Sequence, residues 1–257
     1  MAINPSPVAI ITGSSRGIGA ACARELAQTG YRVVVNYINN AEAAEQVCST
    51  IVNNGGEAII CQANIGKRID RERIISETHN SFGRLDLLVN NAGITSQGRR
   101  DLLEATEDSW DMVFDTNLKG PFFLSQLAAK QMLLKQCVPQ GIIVNVNSIS
   151  SYAISENRAD YCIAKAGLET MTKVFASRLA SENILVYEVC PGVITSDMTA
   201  PVKEKYDRLI TDGLSPIQRW GTAEDVATAV RILASGELSF STGERLNVDG
   251  GFHIRRL

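Results

Sequence analysis

Apolar residues follow two rhythms along this chain. Short unbroken runs at 8–12 (VAIIT), 32–36 (RVVVN), 58–61 (AIIC), 85–89 (LDLLV), 141–146 (GIIVNV), 184–189 (ILVYEV) and 245–248 (RLNV) have the length and β-branched content of buried strands. Between them, apolar positions fall three and four residues apart, which predicts helices. One follows the glycines at 13–19 and stops at Gly30; others cover 41–56, about 67–82, 160–180 and 223–234. A long helical stretch from about 107 to 136 is expected to break at Lys119-Gly120-Pro121. Strand and helix alternate without linker, repeat or charge block. The expected fold is α/β: one domain over 1–257, a doubly wound parallel sheet of about seven strands with helices on both faces. Residues 195–219 depart from the rhythm, being polar and punctuated by proline and glycine. They read as a mobile substrate lid, the plainer option being a surface helical hairpin.

Composition excludes several classes. The 257 residues carry 25 basic and 28 acidic side chains, well mixed, for a net charge of −3, and 45% are hydrophobic. That suits a globule with a real core and offers no basic stripe for nucleic acid or a membrane surface. The opening MAINPSPVAIITG has no basic flank and no sustained apolar run, so neither a signal peptide nor a membrane span is expected. Six scattered cysteines (Cys22, Cys48, Cys61, Cys137, Cys162, Cys190) without a CxxC fit reduced thiols in a cytoplasm. Cys162, beside Tyr161, is expected to pack rather than react. The only histidines are His79 and His253, neither in a motif. No metal site is expected, and a histidine-based triad is disfavoured.

The chemistry-bearing residues fall at predicted strand ends. The first strand runs into Gly13-Ser14-Ser15-Arg16-Gly17-Ile18-Gly19 and then a helix, an arrangement that brings backbone N–H groups to a phosphate. The same residues match Gly-x-Ser-x-Gly, but a hydrolase elbow needs a well-placed histidine that this chain does not offer. The second strand ends at Asn36 and Tyr37 rather than at an acid. With Arg16 nearby, that favours a 2′-phosphate, and hence NADP(H) over NAD(H). Asn64 follows the third strand, where an adenine edge could lie, and the fourth ends in Asn90-Asn91-Ala92-Gly93, small enough for close approach of a cofactor. Asn117 precedes the expected helix break, where it can bond backbone or an ordered water.

Past the fifth strand come Ser148, then Tyr161, then Lys165. On a helix the last two share a face one turn apart. A phenol is a poor acid–base group at neutrality, and a neighbouring ammonium is expected to lower its pKa. With a hydroxyl to hold the substrate oxygen, the three can move a proton on or off an alcohol or carbonyl oxygen. A surface Tyr/Lys pair is the plainer alternative for the motif alone.

Taken together, Thr12-Gly13 with Gly17-Ile18-Gly19, Asn90-Asn91-Ala92-Gly93, Asn117, Ser148, Tyr161 with Lys165, Pro191-Gly192, Arg219-Trp220-Gly221 with 224–227 (EDVA), and Thr242-Gly243 with 248–251 (VDGG) resemble the short-chain dehydrogenase/reductases over essentially the whole chain. The pattern is closest to the bacterial 3-oxoacyl-acyl-carrier-protein reductases. The resemblance implies a Rossmann-type sheet and an often tetrameric assembly. It implies Tyr161 as general acid, Lys165 as the group that lowers its pKa and holds the nicotinamide ribose, Ser148 on the substrate oxygen, and Asn117 anchoring a proton-relay water. By the same resemblance Gly13, Ser15, Arg16, Gly17, Ile18 and Gly19 line the cofactor phosphates. Asn91, Ala92 and Gly93 follow the adenosine side, and Pro191, Gly192 and Ile194 the nicotinamide carboxamide. The chain departs from it in two respects. Asn64 stands where an aspartate is usual, and an amide can still meet adenine. The arginines expected to dock an acidic carrier protein align with Gln136 and Glu182, with Lys130, Lys135 and Arg178 nearby. The expectation is therefore carbonyl–alcohol interconversion on a small molecule, first a 3-oxoacyl thioester, with carrier-bound substrate disfavoured. A sugar or polyol dehydrogenase is the alternative. A nucleotide sensor without chemistry would not have kept Asn117, Ser148, Tyr161 and Lys165.

Overall fold

The computed structural model describes residues 6–134 and 141–255. Seven strands, β1 (Val8–Ile11), β2 (Arg32–Tyr37), β3 (Ala58–Gln62), β4 (Leu87–Asn90), β5 (Gly141–Val146), β6 (Ile184–Pro191) and β7 (Arg245–Val248), form one sheet in the order β3-β2-β1-β4-β5-β6-β7. Every pairing is parallel. The strands are joined by α1 (Gly17–Gln28), α2 (Ala41–Asn53), α3 (Arg68–Phe82), α4 (Glu107–Phe114), α5 (Gly120–Met132), α6 (Ala159–Leu179), α7 (Lys203–Thr211) and α8 (Ala223–Ala234).

The two faces of the sheet are written into the strands at period two. Ala9, Ile11, Val33, Val35, Leu87, Val89, Ile142, Val144, Leu185 and Tyr187 point to one face, where α1, α2 and α8 cover them. Val8, Ile10, Val34, Leu88, Ile143, Ile184 and Val186 point to the other, against α3, α5 and α6. A parallel sheet covered on both sides explains why its strands read as unbroken apolar runs.

The chain reverses direction across the sheet between β1 and β4, so their carboxyl ends open a crevice, the place where such sheets take ligands. There the two ends nearly touch. A Cβ built on Gly13 would lie 3.0 Å from Ala92 Cα. Gly13 also has φ of 61°, the left-handed region that glycine enters without strain.

One expectation needs correcting. The long helix does not break at Lys119-Gly120-Pro121. It passes instead through a π turn, Asp115–Lys119, in which the Gly120 N–H bonds back to the Asp115 carbonyl. Pro121 then sits at the start of the continuing helix, where its missing N–H costs least. The wider turn absorbs the proline that a regular α-helix would have rejected. The predicted end of this stretch, with Lys135, Gln136 and Cys137, lies outside the described residues.

The 195–219 segment folds into a short turn, Ala200–Val202, and α7. Its roots meet in a bridge between Ile194 and Gly221, with Thr195 N–H on the Gly221 carbonyl at 3.0 Å. Trp220 closes over it, donating from Nε1 to Asp207 at 2.8 Å.

Candidate active site

Helix α6 sets the chemical residues. Tyr161 and Lys165 lie one turn apart on its inward face, 6% and 4% exposed. The Lys165 Nζ lies 5.8 Å from the Tyr161 ring centroid and donates to the Val146 carbonyl at 2.9 Å, at the very end of β5. Ser148, just past that end, accepts from Ser150 N–H at 3.1 Å and places its hydroxyl beside the phenol. Asn117, wholly buried in the π turn, uses its amide twice on the loop after β4. It accepts from Ile94 N–H at 2.9 Å and donates to the Ile94 carbonyl at 2.8 Å. A Cβ on Gly93 would stand 3.4 Å from Asn117 Oδ1 and 3.9 Å from Lys165 Nζ. Four separate elements therefore bring Gly93, Asn117, Ser148, Tyr161 and Lys165 to one place.

The electrostatics differ from expectation. Burial pushes the Tyr161 phenol above its ordinary pKa, while the Ser148 hydroxyl and the Arg158 guanidinium only partly oppose it. Lys165 does not do the lowering, because burial drives its own pKa down to about 8 against the pull of Glu188 and Cys190. For both groups desolvation is the largest cause of the shift. The phenol rests protonated.

Below the site runs a buried polar row that the strands bring into register. Asn90 pairs with Asn145, and Asn145 with Glu188, across β4, β5 and β6. Asn90 donates to Asn145 at 2.8 Å, Asn145 to Thr172 at 2.9 Å, and Arg245 to Glu188 at 2.7 Å. The polar letters in GIIVNV and ILVYEV were the available signal. Asp160, also unassigned from sequence, is buried and accepts from Ser96 and Ser109 hydroxyls and from Tyr161 N–H at 2.8 Å. It fixes the first turn of α6 against α4 and the loop after β4.

The cofactor-side residues divide. Arg16 caps α1 without any side-chain cap, leaving the first N–H groups of that helix at Gly17, Ile18 and Gly19 turned toward the crevice. A Cβ on Gly17 would meet nothing, and one on Gly19 would strike the Gly13 carbonyl and Asn91 Nδ2, both at 2.5 Å. The turn is thus open outward and tight inward, the shape a pyrophosphate needs. The Arg16 side chain is exposed and pairs with Asp197 of the 195–219 segment at 3.1 Å. Ser15 is half-buried, and Ile18 packs on the core below. Asn91 donates to the carbonyls of Thr12 and Gly13, at 2.8 and 3.1 Å, while Thr12 Oγ1 accepts from Asn91 and Ala92 N–H groups. Gly192 lies against Asp249, whose Cα would be 2.7 Å from an added Cβ. Pro191 ends β6 and Ile194 is 5% exposed at the root of the 195–219 segment. Asn64 is half-buried and its Oδ1 accepts from Gly66 N–H at 3.0 Å.

Asn36 is not where its assignment placed it. Its side chain is 1% exposed and turned into the molecule. Oδ1 accepts from Gly13 N–H at 2.9 Å, and Nδ2 donates to the carbonyls of Cys61 and Ala63 at 3.2 and 2.9 Å. It builds the glycine turn from beneath, and Tyr37 and Ile38 stand at the strand's open end. A separate cavity of about 320 Å³, lined by Ile194, Ile210, Asn247, Asp249 and His253 among others, lies behind the 195–219 segment and does not reach Tyr161. Among the described residues no group of histidines, cysteines and carboxylates could hold a metal ion. No described helix is long and apolar enough to cross a membrane.

Comparison with known proteins follows the same outline. A family model described as enoyl-(acyl carrier protein) reductase matches residues 13–253. A 3-oxoacyl-[acyl-carrier-protein] reductase of Synechocystis is 41% identical over 248 residues, 95% of this chain and 96% of that protein. The corresponding reductase of Staphylococcus epidermidis is 39% identical over 246 residues, 96% of this chain and 98% of its own. The crystal structure of a Brucella melitensis 3-oxoacyl-[acyl-carrier protein] reductase in complex with NAD superimposes with a TM-score of 0.94 at 38% identity, covering 99% of this chain and 100% of that one.

Proposed function

This chain belongs to the short-chain dehydrogenase/reductase family and is an NAD(P)-dependent oxidoreductase; we propose that it reduces the 3-carbonyl of 3-oxoacyl thioesters with NADPH. The observation that carries this reading is the buried, protonated Tyr161 phenol beside the Ser148 hydroxyl, with Lys165 one turn on. A phenol held in its acid form is ready to give a proton, which is what carbonyl reduction asks of it. The near full-length likeness to curated 3-oxoacyl reductases favours this substrate over a sugar or polyol. A hydroxyl and a phenol converging on one point suit a carbonyl oxygen better than the carbon–carbon double bond of an enoyl group.

The glycine turn fits a dinucleotide, since its N–H groups are open and its inner glycines leave no room for a Cβ. Gly13, Ser15, Arg16, Gly17, Ile18 and Gly19 would hold the phosphates, and Asn64, Asn91, Ala92 and Gly93 the adenosine side. Tyr161 and Lys165 would hold the nicotinamide ribose, and Pro191, Gly192 and Ile194 the carboxamide. Arg16, with no acid among Asn36, Tyr37 and Ile38, favours a 2′-phosphate and so NADP(H) over NAD(H). When bound, the reduced nicotinamide supplies the hydride that the ketone carbon receives. Ser148 hydrogen-bonds the ketone oxygen, and Tyr161 transfers its proton to that oxygen as the alcohol forms. Arg158, 5.4 Å from the ring centroid, and the Ser148 hydroxyl stabilise the phenolate left behind. The Asn117 carbonyl lacks the N–H that position 121 would give in an α-helix, because that residue is proline. It is the site we assign to the relay water that returns the proton.

The 195–219 segment acts as the lid, with its hinge at the Ile194–Gly221 bridge. Exposed Phe122, Phe123, Ile163 and Val174 on α5 and α6 support assembly through these helices into a homotetramer. The five described cysteines are all free, as suits a reducing cytoplasm. Glu182, paired with Arg178 at 3.4 Å, offers no attraction to an acidic carrier, so the substrate is proposed as the thioester itself. The test is consumption of NADPH, with NADH in parallel, on 3-oxobutanoyl-N-acetylcysteamine and on the same acyl group carried by coenzyme A or by acyl carrier protein. Oxidation of NADPH on the simple thioester is expected. Absence of turnover on all three carriers would overturn the assignment.

A further inference from the structure

Two arginines stand at the mouth of the site. Arg158 precedes α6, and its guanidinium carbon lies 5.4 Å from the Tyr161 ring centroid. Its nitrogens make only long contacts, 3.4 Å each, to the Ser155 and Ser150 hydroxyls. Arg99 comes from the loop after β4, which Ser96 ties to Asp160 at the start of α6, and it donates to the Met198 carbonyl at 2.9 Å at the start of the lid. Its backbone is held in the left-handed region, at φ of 48°, which a side-chain-bearing residue rarely adopts.

Among the described residues neither arginine meets a carboxylate. Of the acids two residues away in sequence, Asp160 is occupied by Ser96, Ser109 and the Tyr161 N–H, Asp101 accepts from Leu103 N–H, and Glu156 is exposed. Burial, and then the field of Arg158, hold the Arg99 pKa below its ordinary value. Two half-buried like charges without a counter-ion are costly. An anion between them would turn that repulsion into charge-assisted hydrogen bonds.

We infer that Arg99 and Arg158 form an anion subsite beside Tyr161, and that the natural substrate carries a carboxylate within a few bonds of the ketone being reduced; this rests on the carbonyl-reductase reading above. A phosphate on a pantetheine arm does not satisfy the site, because it lies many bonds beyond the thioester whereas Arg158 lies against the Tyr161 ring. The carboxylate sits on the acyl chain beyond the ketone, on the side away from the thioester.

The test uses 3-oxoglutarate, which carries a carboxylate on each side of its ketone, and its neutral dimethyl ester. NADPH consumption is measured with wild type, Arg99→Gln, Arg158→Gln and Arg158→Lys, and calorimetry follows binding of 3-hydroxyglutarate to each. Wild type is expected to prefer the acid over the ester by about 10- to 100-fold in kcat/KM. Either Gln variant should lose most of that preference and of 3-hydroxyglutarate affinity, with Arg158→Lys in between. The mono-N-acetylcysteamine thioester of 3-oxoglutarate should likewise be preferred over neutral 3-oxobutanoyl-N-acetylcysteamine, a preference that either Gln variant loses. Equal handling of acid and ester by wild type, or an acid preference untouched in both Gln variants, would overturn the subsite. Turnover of neutral 3-oxobutanoyl-N-acetylcysteamine reports separately on the reductase reading, so the two can fail independently.

Discussion

Replacing Asn117 by alanine isolates the structural work of the π turn. The amide is wholly buried and holds both backbone groups of Ile94, at 2.9 and 2.8 Å. Alanine removes the side-chain partner of one N–H and one C=O, both part-buried. Each stranded group costs about 1–3 kcal/mol, so the substitution should cost about 4 kcal/mol. For a chain of this size that lowers the melting temperature by roughly 8–16 °C. Lys119→Ala in the same turn is the control. Its pair with Asp115, at 2.9 Å, is about half exposed on both sides, and such pairs are worth about 0.5 kcal/mol. Scanning calorimetry of wild type and the two variants reads the contrast directly. If Asn117→Ala melts within about 2 °C of Lys119→Ala, the amide does not anchor the loop and the reasoning fails.

Four further outcomes are expected. Tyr161→Phe should lower turnover by about 10²- to 10⁴-fold while NADPH binding, followed by fluorescence, persists; near-wild-type turnover would remove the phenol from the mechanism. Burial holds Lys165 at about 8, so below that pH the folded chain carries a buried charge at a cost. As pH rises from about 8 toward 10, the unfolded chain keeps a proton that the folded one has released, and stability increases. The stability difference between wild type and Lys165→Met should therefore move by about 2 kcal/mol in favour of wild type between about pH 8 and 9.5; a flat difference would contradict the buried ammonium. Arg16→Gln should raise the KM for NADPH by about 10-fold or more and leave that for NADH within a few-fold, whereas equal effects would detach Arg16 from cofactor choice. Gly19→Ala puts a Cβ 2.5 Å from the Gly13 carbonyl, and should abolish detectable cofactor binding in a chain that still folds.

Much of the architecture was legible because both periodicities are clean. VAII and RVVVNY are buried throughout their middles, and the helices sort onto the two sheet faces, α1, α2 and α8 on one and α3, α5 and α6 on the other. The convergence of Ser148, Tyr161 and Lys165, proposed as catalytic, was legible because they sit at a strand end or on one face of α6, whereas Asn117 was legible only as a residue beside the expected helix break. What escaped reading depends on direction and desolvation. Nothing in the letters Lys119-Gly120-Pro121 distinguishes a broken helix from a widened turn a few residues earlier. An asparagine at the end of β2 looks like a ribose contact until its side chain is seen turned inward. The Tyr161–Lys165 pair predicts mutual help, yet burial of both reverses the sign for the phenol. Arg99 and Arg158 are 59 positions apart, from the numbering alone, and only the meeting of two loops makes them neighbours.

The inward turn of Asn36 also limits how this chain could evolve. The customary route from one dinucleotide to the other exchanges the residue at the end of β2 for an acid. Here that residue donates to the carbonyls of Cys61 and Ala63. A carboxylate in its place would face two carbonyl oxygens with nothing to donate, undermining the glycine turn before it could meet a ribose. An ancestral or laboratory lineage placing an acid at the ribose must therefore use Tyr37 or Ile38, the first side chains with room to face outward, and leave the asparagine fixed.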